Sequence, residues 1–337
     1  MMSREPSISL FMPVYNGEAF LQESIDSVLA QSFQDWELVC VDDESTDGSF
    51  AILQNFARQD GRIRVFRKNH GGNVPKSWNF AFPLFRGQWI SYMSQDDFMS
   101  PDNLRINFET ALRTGADIVV PQCVHYTGSP EDLVTPDLTK LPRILSGKEA
   151  FILSLDWRIH GFTLCRRELM LSEPFIEEYF NSDEYVTRKN FLRAEKVALS
   201  DGRFFFRWNN ANSICKVQKL YRTEAIYTQL ELLKLIREDL PDPYLLAQEE
   251  YNLFILMLSA IKRYPRADIY ERTEAARLYL RKHLFRGSSP PDSKTEYSSP
   301  LIRRSPVIRI KSFLGKTLSC SRTALSLLVS FCSPLKK

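Results

Sequence analysis

The chain has 337 residues, 44% of them hydrophobic and 25% charged, enough to bury one large core or two small ones. Its six cysteines, Cys40, Cys123, Cys165, Cys215, Cys320 and Cys332, include no Cys-x-x-Cys pair, which argues against a zinc site and against a small disulfide framework. The net charge of +3 hides a split: from Gly287 onward nine Lys/Arg face only Asp292 and Glu296, a basic end suited to an anionic surface.

The polar start at residues 1–6 lacks the basic region, apolar run and cleavage site of a signal peptide, so a cytoplasmic protein is expected. Residues 8–14 read as a buried strand, followed by helical spacing over 18–32 with Leu21, Ile25, Val28 and Leu29 on one face. A second strand at 36–41 ends in Asp42-Asp43. The turn residues Ser45-Thr46-Asp47-Gly48 then introduce a helix over 49–59. Strands are predicted at 62–67, 89–93 and 117–121, with helices over 75–82 and 101–113, the former ended early by Pro83. Strand and helix in alternation imply an α/β fold: a mostly parallel, Rossmann-like sheet sandwiched by helices.

Residues 126–146 carry Pro130, Pro136 and Pro142 and read as an insertion or lid. Helices at 148–155 and 183–194 and short strands at 197–199 and 203–207 follow. Residues 217–283 are mostly helical, 287–300 are rich in Ser and Pro, and no internal repeat stands out.

In an open α/β sheet, ligands bind at the carboxyl ends of the strands. Two acidic pairs fall there: Asp42-Asp43 closes the second strand, and Asp96-Asp97 closes the strand at 89–93. Adjacent carboxylates are costly to keep at such an edge without compensation. A hard divalent cation shared with a diphosphate supplies it, since Mg2+ or Mn2+ prefers oxygen ligands. The alternative is that one of the pair caps the following turn, with Pro101 opening the helix behind.

The run Ile8-Ser9-Leu10-Phe11-Met12-Pro13-Val14-Tyr15-Asn16-Gly17 resembles the opening strand of family 2 glycosyltransferases of the GT-A fold. Residues 24–32 (SIDSVLAQS), 41–49 (VDDESTDGS) and 87–97 (GQWISYMSQDD) continue the likeness in the same order. It is strong over 7–108, looser to 214 and absent beyond. The resemblance implies a GT-A domain over 1–214, with the nucleotide-sugar half at 1–125 and the acceptor half at 126–214. A helical extension (215–286), a Ser/Pro-rich linker (287–304) and a basic amphipathic tail (305–337) follow.

Carried over by position, the resemblance puts Pro13 and Tyr15 at the base and ribose. It makes Asp43 the acceptor for a ring N–H of the base. Asp96 and Asp97 match the end of an Asp-x-Asp element, with Asp97 favoured as direct metal ligand and Asp96 as a ribose or sugar contact. Ser94 stands where many members have a further Asp. Asn79 resembles a residue facing the donor pocket. Lys76 either balances diphosphate charge or is an exposed helix residue, and Arg207 either meets phosphate or is structural. His70 reads as a loop residue; His160 is a candidate for the acceptor side. Many members have Arg-x-His where this chain has Arg207-Trp208-Asn209.

The implied activity moves a sugar from a nucleotide diphosphate, with UDP favoured, to a glycan or lipid-linked acceptor in surface-polysaccharide or lipopolysaccharide synthesis. Direct transfer with inversion needs a carboxylate to take the acceptor proton. Asp183, with Glu184 in reserve, matches that position; the alternative is a pair of ordinary first-turn acids. The tail has no run of about 18 apolar residues and suits a basic amphipathic helix on the inner membrane face, a packed helix or a disordered end. No nucleic-acid motif is present. A noncatalytic nucleotide-sugar-binding scaffold is the main rival; a nucleotidyltransferase ranks last for want of a Gly-rich start.

Overall fold

The computed structural model describes residues 5–129, 132–134, 137–211, 213, 223–264, 270 and 273–283. It divides into two units, residues 1–177 with 186–217 and residues 178–185 with 218–337. Residues 178–185, which the sequence places in the first domain, therefore cluster with the later helices. The Ser/Pro-rich linker and the basic tail lie outside the described residues.

The first unit is built on a ten-stranded sheet. Its centre is β1 (Ile8–Val14), flanked by β2 (Trp36–Asp42) and later by β4 (Trp89–Tyr92), both parallel to it. A strand covered on both faces reads as a continuous apolar run, and six of the seven residues of β1 are buried. Between them lie α1 (Glu18–Leu29), α2 (Ser49–Gln59), β3 (Ile63–Arg67) and α3 (Val74–Ala81). Leu21, Ile25 and Val28 of α1 face the core at helical spacing. Asn73 caps α3, its side chain accepting the Lys76 N–H, and Pro75 occupies the first turn, where a missing N–H costs nothing.

Beyond β4 come β5 (Phe98–Met99), α4 (Asn103–Thr114), β6 (Ile118–Tyr126), β7 (Leu133–Val134) and β8 (Ile144–Ser146). Gly115 ends α4 in the left-handed conformation at φ 66°. Helix α5 (Gly147–Leu155) opens on a reciprocal cap between Ser146 and Glu149. Next are β9 (Leu164–Arg166), α6 (Arg167–Met170), α7 (Ser182–Arg193) and β10 (Lys196–Arg207).

The strand order is β3-β2-β1-β4-β9-β6-β10-β5, with β7 on β6 and β8 on β10. The sheet is mixed. β9 runs antiparallel to both β4 and β6, and β5, β7 and β8 are antiparallel to their neighbours. These two- and three-residue strands are too short to show a period in the sequence. The two strands expected at 197–199 and 203–207 are one, β10, with an irregularity between Leu199 and Arg203.

Chain direction reverses sides at β1: β2 and β3 extend one way and β4 the other. The carboxyl ends of β1, β2 and β4 are thus the switch-point crevice of an open α/β sheet. Gly87 allows β4 to start close to β1, since a Cβ there would stand 2.5 Å from the Ser9 nitrogen.

The second unit contains α8 (Ala225–Asp239), α9 (Pro243–Arg263) and α10 (Glu274–His283). Ile226, Leu230 and Leu233 pack with Leu253, Met257, Ala260 and Ala276 in a separate core. Thr228 Oγ1 donates to Asn181 Oδ1 (2.7 Å) and the Phe180 N–H to Glu224 Oε2 (3.1 Å), tying residues 178–185 to this helical layer.

Candidate functional site

The expected base-binding residues meet at the ends of β1 and β2. Pro13 is half-buried in β1, opposite Val41. Tyr15, just past the strand, is 44% exposed. Its backbone is held by Gln95, whose Oε1 accepts the Tyr15 N–H (2.8 Å) while Nε2 donates to the Tyr15 carbonyl (3.0 Å). Asn16 and Glu44 have φ of 49° and 63°, and such left-handed non-glycine residues mark turns constrained by their surroundings.

Asp43 is buried beneath the loop that follows β3. Its Oδ1 accepts from Lys68 Nζ and the Gly71 N–H (2.7 Å), and its Oδ2 from the Gly72 N–H (3.1 Å). Neighbouring Asp42 is fully buried: Oδ2 accepts the Ser45 N–H (3.2 Å) and lies 3.1 Å from Arg67 Nε, while Oδ1 has no hydrogen-bond partner.

The second carboxylate pair lies past the end of β4. Asp96 is half-buried; its Oδ1 accepts from Ser94 Oγ (2.7 Å) and its Oδ2 from Asn210 Nδ2 (2.8 Å). Asp97 is 1% exposed, with Oδ1 on the Arg207 N–H (2.9 Å) and Oδ2 buried without a hydrogen-bond partner. Burial pushes the Asp97 carboxyl well above the usual carboxylate range. The Asp96 charge adds to that, and the backbone N–H and guanidinium of Arg207 act the other way. Of the pair, Asp96 is the one that solvent reaches.

Arg207 is not turned to solvent. Its guanidinium lies 4.7 to 5.5 Å from the ring centres of Phe20, Phe98 and Tyr126, pairs with Glu23 (2.5 Å) and donates from Nε to the Asp96 carbonyl (2.7 Å). The structural alternative describes its contacts: it braces the Asp96-Asp97 turn.

Asn79 is hydrogen-bonded within the fold. Its Nδ2 donates to the Phe175 carbonyl (2.9 Å) and Glu177 Oε1 (2.8 Å), and its Oδ1 accepts the Phe175 N–H (2.8 Å). The amide is spent joining α3 to residues 175–177. Lys76 Nζ is on the Gly71 carbonyl (3.0 Å), bracing the loop over Asp43. His160 is buried, between the Pro121 carbonyl (2.9 Å) and the Phe162 N–H (3.1 Å), and burial lowers its pKa to about 4.

Asp183 and Glu184 stand in the first turn of α7, both half-buried. They fall within the second unit, where Asn181 and Phe180 anchor their approach.

Sequence reasoning passed over Lys68, Gln95 and Asn210. Gln95 lies inside the motif at 87–97 and Asn210 follows Arg207 by three, so proximity to these residues is the available signal. Lys68 follows directly after β3, at the same sheet edge.

Among the described residues no group of three or more His, Cys, Asp or Glu could hold a metal alone. The two carboxylates nevertheless fit a hard cation. Their donors are all oxygen, and the partnerless Asp97 Oδ2 is an atom that positive charge would satisfy. Such an ion would draw its remaining ligands from a diphosphate and water. No described helix is long and apolar enough to cross a membrane.

A family model described as glycosyl transferase family 2 matches residues 9–177. The uncharacterized glycosyltransferase EpsJ of Bacillus subtilis is 30% identical over 257 residues, covering 70% of this chain and 74% of EpsJ. The putative teichuronic acid biosynthesis glycosyltransferase TuaG of the same organism is 32% identical over 109 residues, 32% of this chain and 43% of TuaG. Residues 1–349 of S. aureus TarS in complex with UDP superpose with a TM-score of 0.59 at 16% identity, over 81% of this chain and 78% of that one. The mannosyltransferase PcManGT of Pyrobaculum calidifontis, in complex with GDP-Man and Mn2+, gives 0.55 at 14% identity over 98% and 86%. At these identities the structural likeness is one of fold, and the fold is GT-A.

Proposed function

The chain belongs to glycosyl transferase family 2, and from that premise we propose that it transfers a sugar from a nucleoside diphosphate sugar to an acceptor hydroxyl in building a cell-surface polysaccharide. The observation that carries this reading is the meeting, at one switch-point crevice, of an exposed aromatic ring (Tyr15), a buried carboxylate (Asp43) and the Asp96-Asp97 pair. The first two suit a base, and the last two a charged diphosphate. A UDP-sugar is the donor to try first, since TarS is described with UDP. A glycan or lipid-linked acceptor accords with the biosynthetic role in TuaG's name.

In this reading Asp96 and Asp97 would hold a divalent ion, Mn2+ or Mg2+. When bound there, such an ion would supply positive charge to offset that growing on the departing diphosphate. Tyr15 and Pro13 seat the base, and Asp43 accepts its ring N–H. Arg207 and Asn210 keep Asp96 in place. Asp183 or Glu184 takes the acceptor proton as the hydroxyl oxygen bonds to the anomeric carbon and the bond to the diphosphate oxygen breaks, inverting that centre.

A screen of nucleotide sugars, read by released nucleoside diphosphate with and without chelator, tests the proposal. One donor is expected to turn over with Mn2+ or Mg2+ and to stop with EDTA. Binding without turnover across donors and acceptors would instead support a scaffold.

A further inference from the structure

Two contacts define the seat proposed for the nucleobase: the face of Tyr15 and the carboxylate of Asp43. One side chain of this chain makes both. The His70 ring lies on Tyr15 with centroids 4.3 Å apart and planes 30° from parallel. Its Nδ1 stands 3.1 Å from Asp43 Oδ2 and 3.0 Å from the Asp43 carbonyl oxygen. Both neighbours are acceptors, so Nδ1 carries the hydrogen. A flat ring stacked on Tyr15, with its N–H on the Asp43 carbonyl and beside the carboxylate, fills the place a base with a ring N–H would take.

We propose that His70 is an internal stand-in for the nucleobase, held in the base seat of the free protein and displaced when the donor binds. The inference rests on the nucleotide-sugar reading of the crevice. The Asp43 carboxylate accepts from Lys68, Gly71 and Gly72, and the His70 ring, hydrogen-bonded to the Asp43 carbonyl, stands with Nδ1 3.1 Å from Oδ2. A base stacked on Tyr15 therefore reaches Asp43 Oδ2 only by taking the place of the His70 ring.

The loop backbone is poorly suited to yield. Its start is pinned by the Lys68 N–H on the Asp42 carbonyl (3.0 Å) and its middle by the His70 N–H on Glu44 Oε2 (2.9 Å). Asn73 fixes its end, with Nδ2 on the Glu177 carbonyl (2.8 Å). The His70 side chain, 43% exposed, can leave by rotating about its own bonds, freeing Asp43 Oδ2 and the Tyr15 face in one movement. His70 thus sets donor affinity by competing with the base.

The test compares wild type with His70→Ala by calorimetry, using UDP and, as a probe with no base, pyrophosphate, each with Mn2+. Removing a competitor that holds one hydrogen bond and one exposed ring contact is expected to tighten UDP about three- to tenfold and leave pyrophosphate unchanged. Weaker or equal UDP binding overturns the proposal, because His70 would then support the base or only the loop. Equal tightening of both probes also overturns it, since the effect would not be local to the base.

Should His70→Ala fail to fold, wild type answers by NMR. The His70 ring signal, one of four histidines, is expected to leave the Tyr15 ring-current field on addition of UDP; a signal that stays overturns the proposal. If neither protein binds UDP or GDP, the nucleotide reading falls and takes this inference with it. If wild type binds UDP and the variant binds no tighter, this inference alone falls.

Discussion

Two buried carboxylates at opposite ends of the same sheet, Glu37 and Asp97, are held in opposite ways. At the amino ends of β1 and β2, Glu37 is 1% exposed yet fully served. Its Oε1 accepts from Ser9 Oγ (2.6 Å) and the Arg86 N–H (2.8 Å), and its Oε2 from Arg64 Nη1 (2.8 Å) and Arg86 Nε (2.8 Å). Burial alone would raise the Glu37 pKa, but the donors from Ser9, Arg86 and Arg64 outweigh it and the net shift is downward. At the carboxyl ends, Asp97 has an oxygen without a partner and its pKa moves upward. The paired charge of Glu37 belongs to the fold; the unpaired Asp97 oxygen, next to the half-buried Asp96, is what a ligand there would complete.

Substitutions on the two edges should separate activity from stability. The largest effect is expected at Asp96: Asp96→Ala should lower kcat/KM by about 10²- to 10³-fold with an unchanged melting curve. A matching fall in Tm would erase the contrast. At the other edge, Glu37→Ala removes the acceptor shared by Ser9, Arg64 and Arg86 and should cost about 2 kcal/mol in denaturant unfolding, with normal turnover per folded molecule.

Arg207→Lys sharpens the comparison from inside the site. It keeps a charge for Glu23 but loses the fixed fork that reaches the Asp96 carbonyl. We expect about a tenfold loss of kcat and little change in Tm; a Tm loss without a kcat loss would move Arg207 into the fold alone.

The smallest effect is in pH. Because Glu37 has a folded-state pKa below its unfolded value, its contribution is complete above the ordinary glutamate value of about 4.3. It fades as pH falls through the folded-state value. The stability gap between wild type and Glu37→Gln should therefore narrow under acid, as followed by urea midpoints at several pH values; a gap that widens would contradict the pairing.

The sequence was legible where periodicity and burial coincide. β1 and β2 are covered on both faces, and their apolar runs show it. Likewise α1 shows Leu21, Ile25 and Val28 at helical spacing. β5 and β9, with two and three residues, carry no period, and their antiparallel direction arises only from distant pairing. The same holds for the site. Asp43 and Asp96 follow strands and could be marked, whereas the duties of Arg207 and Asn79 depend on partners about a hundred residues away. His70 looked like an ordinary loop residue because nothing in its neighbourhood announces Tyr15, 55 positions earlier.

The most direct test is calorimetric titration of wild type and Asp96→Asn with UDP and GDP, with and without Mn2+. Saturable heat is expected for one nucleotide in wild type, strengthened by Mn2+ and abolished or severely weakened in Asp96→Asn. No heat with either Mn2+–nucleotide pair, or binding that Asp96→Asn leaves intact, would contradict a diphosphate and its ion held at this edge of the sheet.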